Sequence, residues 1–305
     1  MRVARPRARL PWRRARGAAV TESPGSGPDS GFDSGFDSDV PSPARMYDYY
    51  LGGRDNFAAD REAAEAVIAS HPDQRQLARN NRAFLVRAIE HLAAAGITQF
   101  VDVGTGIPTA PTVHEVARRT HPDARVVYVD DDPVVLAHAR ALLAEDRAVA
   151  VVEADMHAPE TITGHPDVAR LIDFEQPVGV LFVAVLHFSP DDEPQRILGH
   201  FRARMVPGSH LVLSAGSSEG LTDAELAEIR EAYARTPRGG HLRTREEITA
   251  LFDGFEILEP GVVDVCRWRG FERPTHLSIL AGVGRLPAPP DETVDRTAAG
   301  TTGAT

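Results

Sequence analysis

Between positions 99 and 216 the chain repeats one pattern five times: a short apolar run rich in β-branched residues, then a stretch with helix signals. The runs are QFVDVG, RVVYVD, AVAVVEAD, PVGVLFVAVLH and SHLVLSAG. They are near-continuous in their apolar residues, the pattern of parallel strands covered on both faces. Between them, Asp132 precedes Pro133 at a helix start, Ser189, Pro190 and Asp192 open another, and Thr222/Glu225 and Thr244/Glu247 form capping boxes. Upstream, residues 84–95 set Phe84, Leu85, Ala88, Ile89 and Leu92 on one helical stripe. Downstream, FEILEPGVVDV and THLSILAGVG are two strands joined without a helix. Five alternating units and a terminal hairpin predict an α/β fold, a doubly wound sheet with a terminal antiparallel strand.

Composition sets the limits of the folded region. The first 16 residues hold seven arginines and no acid, residues 21–43 are poor in aliphatics, and the last twenty are again of low complexity. Disordered tails are therefore expected at 1–42 and 287–305, flanking one domain at 43–286. No apolar segment of about 7 to 15 residues follows the arginines, which argues against an export signal. Nothing approaches the ~18 to 20 apolar residues of a membrane-crossing helix. The lone Cys266 excludes an intrachain disulfide and a Cys-rich metal site, so a cytoplasmic location is expected.

The chain has no lysine. Lysine-dependent Schiff-base aldolases, pyridoxal-phosphate enzymes and Walker-type ATPases are thereby excluded. The net charge of -11 includes the arginine-rich segment, and the remainder carries -18. Such acidity disfavours a nucleic-acid acceptor.

Ligands of open α/β sheets bind beyond the carboxyl ends of the strands. The first run ends in Asp102, Val103, Gly104, Thr105, Gly106, Ile107, Pro108, Thr109. The paired glycines allow a tight turn, but Thr109 stands where a dinucleotide fold wants glycine, and Pro108 removes an N–H donor. Asp102 would repel a diphosphate. NAD and FAD are disfavoured, whereas a cationic ligand without phosphate suits the site. S-adenosylmethionine is such a ligand. Asp130, with Asp131 beside it, ends the second run where a ribose needs an acceptor, and Asp155, followed by Met156, ends the third on the adenine side.

These residues carry a resemblance. The segments ARMYDYYLGGRDNFAADREAAE, FVDVGTGIPT, VVYVDDDPVVLAHARALL and AVLHFSPDD are similar to an actinobacterial family of S-adenosylmethionine-dependent methyltransferases formerly catalogued as a domain of unknown function. The likeness runs from about Pro43 to Leu286. It implies a class I methyltransferase (Rossmann-like) fold, with Asp102, Gly104 and Gly106 on the glycine-loop motif, Asp130 as ribose acid and Asp155 as adenine-side acid. Pro108 departs from the broader superfamily, where a third glycine is common.

Methyl transfer is an in-line displacement in which alignment alone can supply about 7 to 11 kcal/mol. A base is required only when the acceptor must lose a proton. His187, at the end of the fourth run, is the catalytic candidate, with simple packing as its alternative. Tyr47, Tyr49 and Tyr50 precede a Gly-Gly turn, and an N-terminal helical lid is expected to bring Tyr50, Gly53, Arg54 and Asn56 to the site. The segment with Arg238, His241, Arg243 and Arg245 reads as a solvated loop into a capped helix, or else as a gate on the acceptor pocket. The expected activity is methyl transfer to a small molecule; the alternative is a non-catalytic S-adenosylmethionine-binding or regulatory protein.

Overall fold

The computed structural model describes residues 37–143, 146–190 and 192–289. The tails expected at 1–42 and 287–305 lie outside the described residues, apart from 37–42 and 287–289. Residues 37–42 belong to the fold, contrary to expectation. Ser42 is buried, its N–H donating to Asp60 at 2.8 Å and its Oγ to Asp132 at 2.6 Å. Those acceptors lie 18 and 90 residues away, beyond the reach of a compositional argument.

The five runs form β1 (Gln99–Val103), β2 (Arg125–Asp130), β3 (Val149–Glu153), β4 (Gly179–Val183) and β5 (His210–Gly216), all parallel. The C-terminal strands are β6 (Glu256–Ile257), β7 (Val263–Asp264) and β8 (Ile279–Arg285). The sheet order is β3-β2-β1-β4-β5-β8-β6, with β7 also paired to β8. The chain thus winds outward from β1 to β3, returns to β4 beside β1, and winds out the other way. Antiparallel β8 lies between β5 and β6, so the expected hairpin is replaced by one long strand with two short partners. Pro260, which cannot donate to a ladder, and Gly261, at φ 91°, divide β6 from β7.

Alternate residues of the strands face opposite cores. Val101, Val103, Val127, Val129, Val180 and Phe182 pack with Ile162, Leu171, Ile197 and Phe201, whereas Phe100, Val126, Tyr128 and Leu181 pack with Phe84, Ile89 and Val116. Helices accordingly cover both faces: α3 (Gln74–Ala94) and α4 (Val113–Ala117) on one, and α6 (Pro159–Thr163), α7 (Pro166–Leu171), α8 (Glu193–Arg202) and α10 (Arg245–Ala250) on the other. The remaining helices are α1 (Pro43–Leu51), α2 (Ala58–Ser70), α5 (Pro133–Leu143) and α9 (Asp223–Tyr233). A small third cluster joins Met46, Tyr50, Ala64, Val67 and Ala78, and it fastens α1 and α2 to the start of α3. Both expected capping boxes are present, and Asp132 accepts from Val134 N–H at 2.8 Å.

Candidate functional site

The return from β3 to β4 makes a topological switch between β1 and β4, and a cleft of about 500 Å³ opens there. The strand-end residues singled out from the sequence meet in it: Asp102, Gly104, Thr105, Gly106, Asp130, Asp131, Asp155 and Met156 all line its walls. Register explains the convergence, since Val103 pairs with Val129 and Asp130 with Glu153. Gly104 turns at φ 70° and Gly106 at φ 64°. A Cβ on Gly104 would lie 2.3 Å from Val185 Cγ2, so the turn can approach the end of β4 only without a side chain.

Each acid has a different environment. Asp130 is buried; its Oδ2 accepts from Gly106 N–H at 2.9 Å and its Oδ1 from Asp132 N–H at 3.0 Å. Burial nevertheless outweighs those bonds and pushes its pKa up to about 7. These bonds fix the carboxylate rigidly between two loops while each oxygen retains acceptor capacity. Asp102 is buried as well and accepts from Thr105 Oγ1 at 3.0 Å; burial raises it to about 6 against the pull of Thr105 and Arg82. Asp155 behaves oppositely. Partial burial raises its pKa, but hydrogen bonds from Arg238 and His157 overcome this and lower it to about 2.

Tyr50 also lines the cleft, buried with its hydroxyl facing that of Tyr233. Gly53, Arg54 and Asn56 do not line it, contrary to expectation. Their turn is a lock on the end of α1: Gly53 N–H donates to Asp48 O at 2.9 Å, and Asp48 Oδ2 accepts from Asp55 N–H and from Asn56 Nδ2. A Cβ on Gly53 would collide with the Asp48 carboxyl, and Arg54 points its charge to solvent. The Gly-Gly pair therefore ends a helix.

Beyond β4 the chain leaves the strand abruptly, because Ala184 adopts φ 57°. The fourth run is thus a strand only to Val183, and Leu186–Phe188 forms a 3₁₀ turn that brings His187 into the cleft. Gly216 N–H points at His187 Nδ1 over 3.3 Å. Burial, with the charges of Arg243 and His241, lowers the pKa of His187 to about 4. The ring is neutral near pH 7.

Sequence reasoning missed several residues. Arg82 lines the cleft from α3, and Asn81 beside it ties the cleft floor together. Ala184 N–H donates to Ser214 Oγ, Ser214 Oγ to Asn81 Oδ1 at 2.7 Å, Asn81 Nδ2 to Tyr47 Oη, and Tyr47 Oη to Ala78 O. The segment 238–245 is not a solvated loop. Arg238 bridges Asp131 at 2.8 Å and Asp155 at 3.0 Å, and Arg243 is buried against the carbonyls of Leu186 and Ser189.

A family model described as S-adenosyl methyltransferase matches residues 31–287. Among solved structures, a candidate methyltransferase from Thermobifida fusca YX is 42% identical, with 85% of this chain and 100% of that chain covered and a TM-score of 0.79. A DUF574 family protein from Streptomyces avermitilis is 36% identical over 82% of this chain and 99% of that one, with a TM-score of 0.78. No functionally curated protein matches the sequence. The sheet order, the glycine turn and its strand-end acids agree with a match that spans the whole folded region: the chain belongs to the S-adenosyl methyltransferase family, has the class I methyltransferase fold and uses S-adenosylmethionine.

Proposed function

We propose that this methyltransferase acts on a small, largely uncharged molecule seated over the end of β4. The observation that carries this reading is the continuity of the cleft. From the acids at the ends of β2 and β3 it runs on to walls formed by Tyr47, Tyr50, Phe188, Tyr233 and Ile279. A site of this volume falls within the usual range for small-molecule sites, roughly 300–1,000 Å³. Its far part is aromatic and uncharged, and the strongly acidic chain offers little to a polyanion. Among the described residues no helix is long and apolar enough to cross a membrane, and a cytoplasmic location is part of the proposal.

In this reading Asp130 orients the ribose hydroxyls, Asp155 and Met156 receive the adenine, and the glycine turn of Gly104 and Gly106 lets backbone approach the methionine end. When bound, S-adenosylmethionine supplies an electrophilic methyl group on a sulfonium centre. The aromatic walls exclude water and align the acceptor, which is where most of the rate advantage of a displacement without a dedicated base arises. His187 is assigned the role of donor. With Nδ1 facing Gly216 N–H, its neutral ring carries the proton on Nε2, so it can orient an acceptor oxygen or nitrogen but takes up protons poorly.

Calorimetry is expected to give binding of S-adenosylmethionine and its demethylated product and none of NAD. Production of that product should then follow addition of a low-molecular-weight metabolite fraction; turnover only with protein or nucleic-acid fractions would overturn the small-molecule reading. Arg238 now occupies Asp155, which the adenine amino group must reach. Arg238→Gln is therefore expected to tighten product binding by about two- to fivefold, the scale of a half-exposed ion pair. Weaker binding in this variant would instead mean that Arg238 grips the ligand.

A further inference from the structure

The aromatic end of the cleft keeps two buried polar atoms that the protein itself leaves unsatisfied. Tyr50 Oη on α1 closes no hydrogen bond, although the Tyr233 hydroxyl faces it, and Gln74 Oε1 at the start of α3 has no donor. Both residues line the cleft, Tyr50 only 2% and Gln74 only 9% exposed. Buried polar groups are ordinarily hydrogen-bonded, and leaving one without a partner weakens a fold. Their neighbours on the same wall do find partners within the chain: Tyr47 Oη donates to Ala78 O at 3.0 Å, and Asn81 joins Tyr47 to Ser214.

The course of α3 fixes where these atoms stand. Leu92 packs beside Gly179 at the start of β4, whereas Asn81 Oδ1 accepts from Ser214 Oγ near the end of β5. The helix therefore runs against the parallel strands, and its first turns stand beyond their carboxyl ends. Ser214 Oγ also accepts from Ala184 N–H, which sets Asn81 level with the end of β4. Gln74 lies seven residues earlier, about 10 Å farther along the helix axis. A molecule that reaches from His187 to Gln74 has the length of one or two rings, and Phe188 and Tyr233 give it flat walls.

The two atoms also state what that molecule must carry. A carboxamide oxygen only accepts, and a phenol donates or accepts. A carboxylate has no proton to give Gln74, and an ammonium has no lone pair for the Tyr50 proton. A neutral hydroxyl answers both, and it answers the carboxamide in either of its two orientations.

We infer that Gln74 and Tyr50 select the methyl acceptor, a flat molecule of one or two rings with a neutral hydroxyl at the end opposite the methylated atom, donating to Gln74 Oε1 and accepting from Tyr50 Oη. The inference rests on the reading of this cleft as a methyl-transfer site for a small molecule and names the feature by which its far end tells one acceptor from another. A site built to hydrogen-bond a substrate hydroxyl rejects the analogue without it, because its own buried groups then stay unpaired.

The test uses the full chain saturated with S-adenosylhomocysteine and two uncharged probes of nearly one shape: the dihydroxynaphthalene with its hydroxyls at opposite ends of the long axis, and the corresponding difluoronaphthalene. The diol should bind the wild type at least about tenfold more tightly than the difluoride, and Gln74→Leu and Tyr50→Phe should each weaken the diol by about 5- to 30-fold while leaving the difluoride unaffected. Without ligand, each variant should melt about 2 to 4 °C above the wild type, since it deletes a buried polar atom that has no partner. Equal affinity of the two probes for the wild type, or a diol affinity unchanged in both variants, would mean that this wall does not read a hydroxyl. A lower melting temperature in both variants would mean that the two groups are already satisfied in the free chain. Each of these results overturns the inference. Failure of the wild type to bind S-adenosylhomocysteine would instead remove the underlying reading, and calorimetry registers it before any probe is added.

Discussion

Replacing Asp130 by alanine is expected to weaken binding of S-adenosylhomocysteine by about 1 to 3 kcal/mol, the cost of losing hydrogen bonds to a charged and buried acceptor. The side chain contributes twice. It faces the cleft, and it joins the glycine turn to the loop after β2 through Gly106 N–H and Asp132 N–H, so its loss also loosens the walls. An unchanged dissociation constant would move the ribose acid to another residue. The same carboxylate should make binding pH-dependent. In the ligand-free chain burial raises Asp130 to about 7 and Asp102 to about 6, so both are substantially protonated at pH 5.5. Ribose hydroxyls and an ammonium are donors that favour the ionised forms. Binding must therefore release protons, and affinity should rise between pH 5.5 and 7.5 and level off above. One pKa unit corresponds to about a tenfold change, which sets the expected scale. For the ligand-free fold the sign is opposite. A carboxylate whose folded pKa lies above its unfolded value contributes stability that is present below about pH 4 and lost as pH rises through 6 to 7. Ligand should consequently raise the melting temperature more at pH 7.5 than at pH 5.5, and equal shifts at the two values would show that neither carboxylate titrates with binding.

How much of this site can be read from the sequence depends on how local the signal is. Asp102, Asp130 and Asp155 were legible because a parallel sheet aligns the carboxyl ends of its strands, so acids at or just beyond the ends of β1, β2 and β3 gather along one rim. The five central strands were legible because a strand buried on both faces is written as an unbroken apolar run. The first half of α3 was not. Gln74 to Arg82 is polar in sequence, and Asn80 and Asn81 are buried against partners far along the chain, the Arg273 carbonyl for Asn80 and Ser214 and Tyr47 for Asn81. Arg82 escaped notice for the same reason, since a guanidinium at the edge of an apolar stripe looks solvated until the loop after β1 closes on it. The Gly-Gly turn shows the converse error. Gly53, Arg54 and Asn56 have the composition of a ligand loop, but Asp48 one turn earlier takes the Gly53 N–H on its carbonyl and the Asp55 N–H and Asn56 Nδ2 on its carboxyl, which makes the turn a helix stop. Arg238 combines both cases. Its segment reads in sequence as a solvated loop first and a gate second, and only the tertiary fold brings it onto Asp131 and Asp155, acids that follow two different strands.

The second large effect is expected far from the chemistry, at Asp60 on α2. This carboxylate is fully buried and accepts from Arg45 Nε at 2.8 Å, from Ser42 N–H at 2.8 Å and from Phe57 N–H at 2.8 Å. Arg45 in turn reaches Asp132 at 3.3 Å, and Asp132 N–H donates to Asp130. One chain of hydrogen bonds thus runs from α1 and α2 to Asp130. Asp60→Ala removes three acceptor contacts at once and leaves a buried guanidinium with less compensation, a change that costs about 3 to 5 kcal/mol in comparable buried pairs. Urea denaturation should record a loss of that size, and hydrogen exchange should locate it in residues 42–60. A loss below about 0.5 kcal/mol, the ordinary effect of a surface substitution, would show that α1 and α2 are held by their apolar cluster alone. The double variant Arg45→Met/Asp60→Leu separates charge from packing: with no ion left to bury unpaired, it should be more stable than Asp60→Ala. It should still bind S-adenosylhomocysteine less tightly than the wild type, because Asp132 has lost the cation that fixes its loop. Recovered stability with reduced affinity would identify the buried ion pair as the element that positions Asp130, whereas full recovery of both would reduce it to a fastening of α1 and α2.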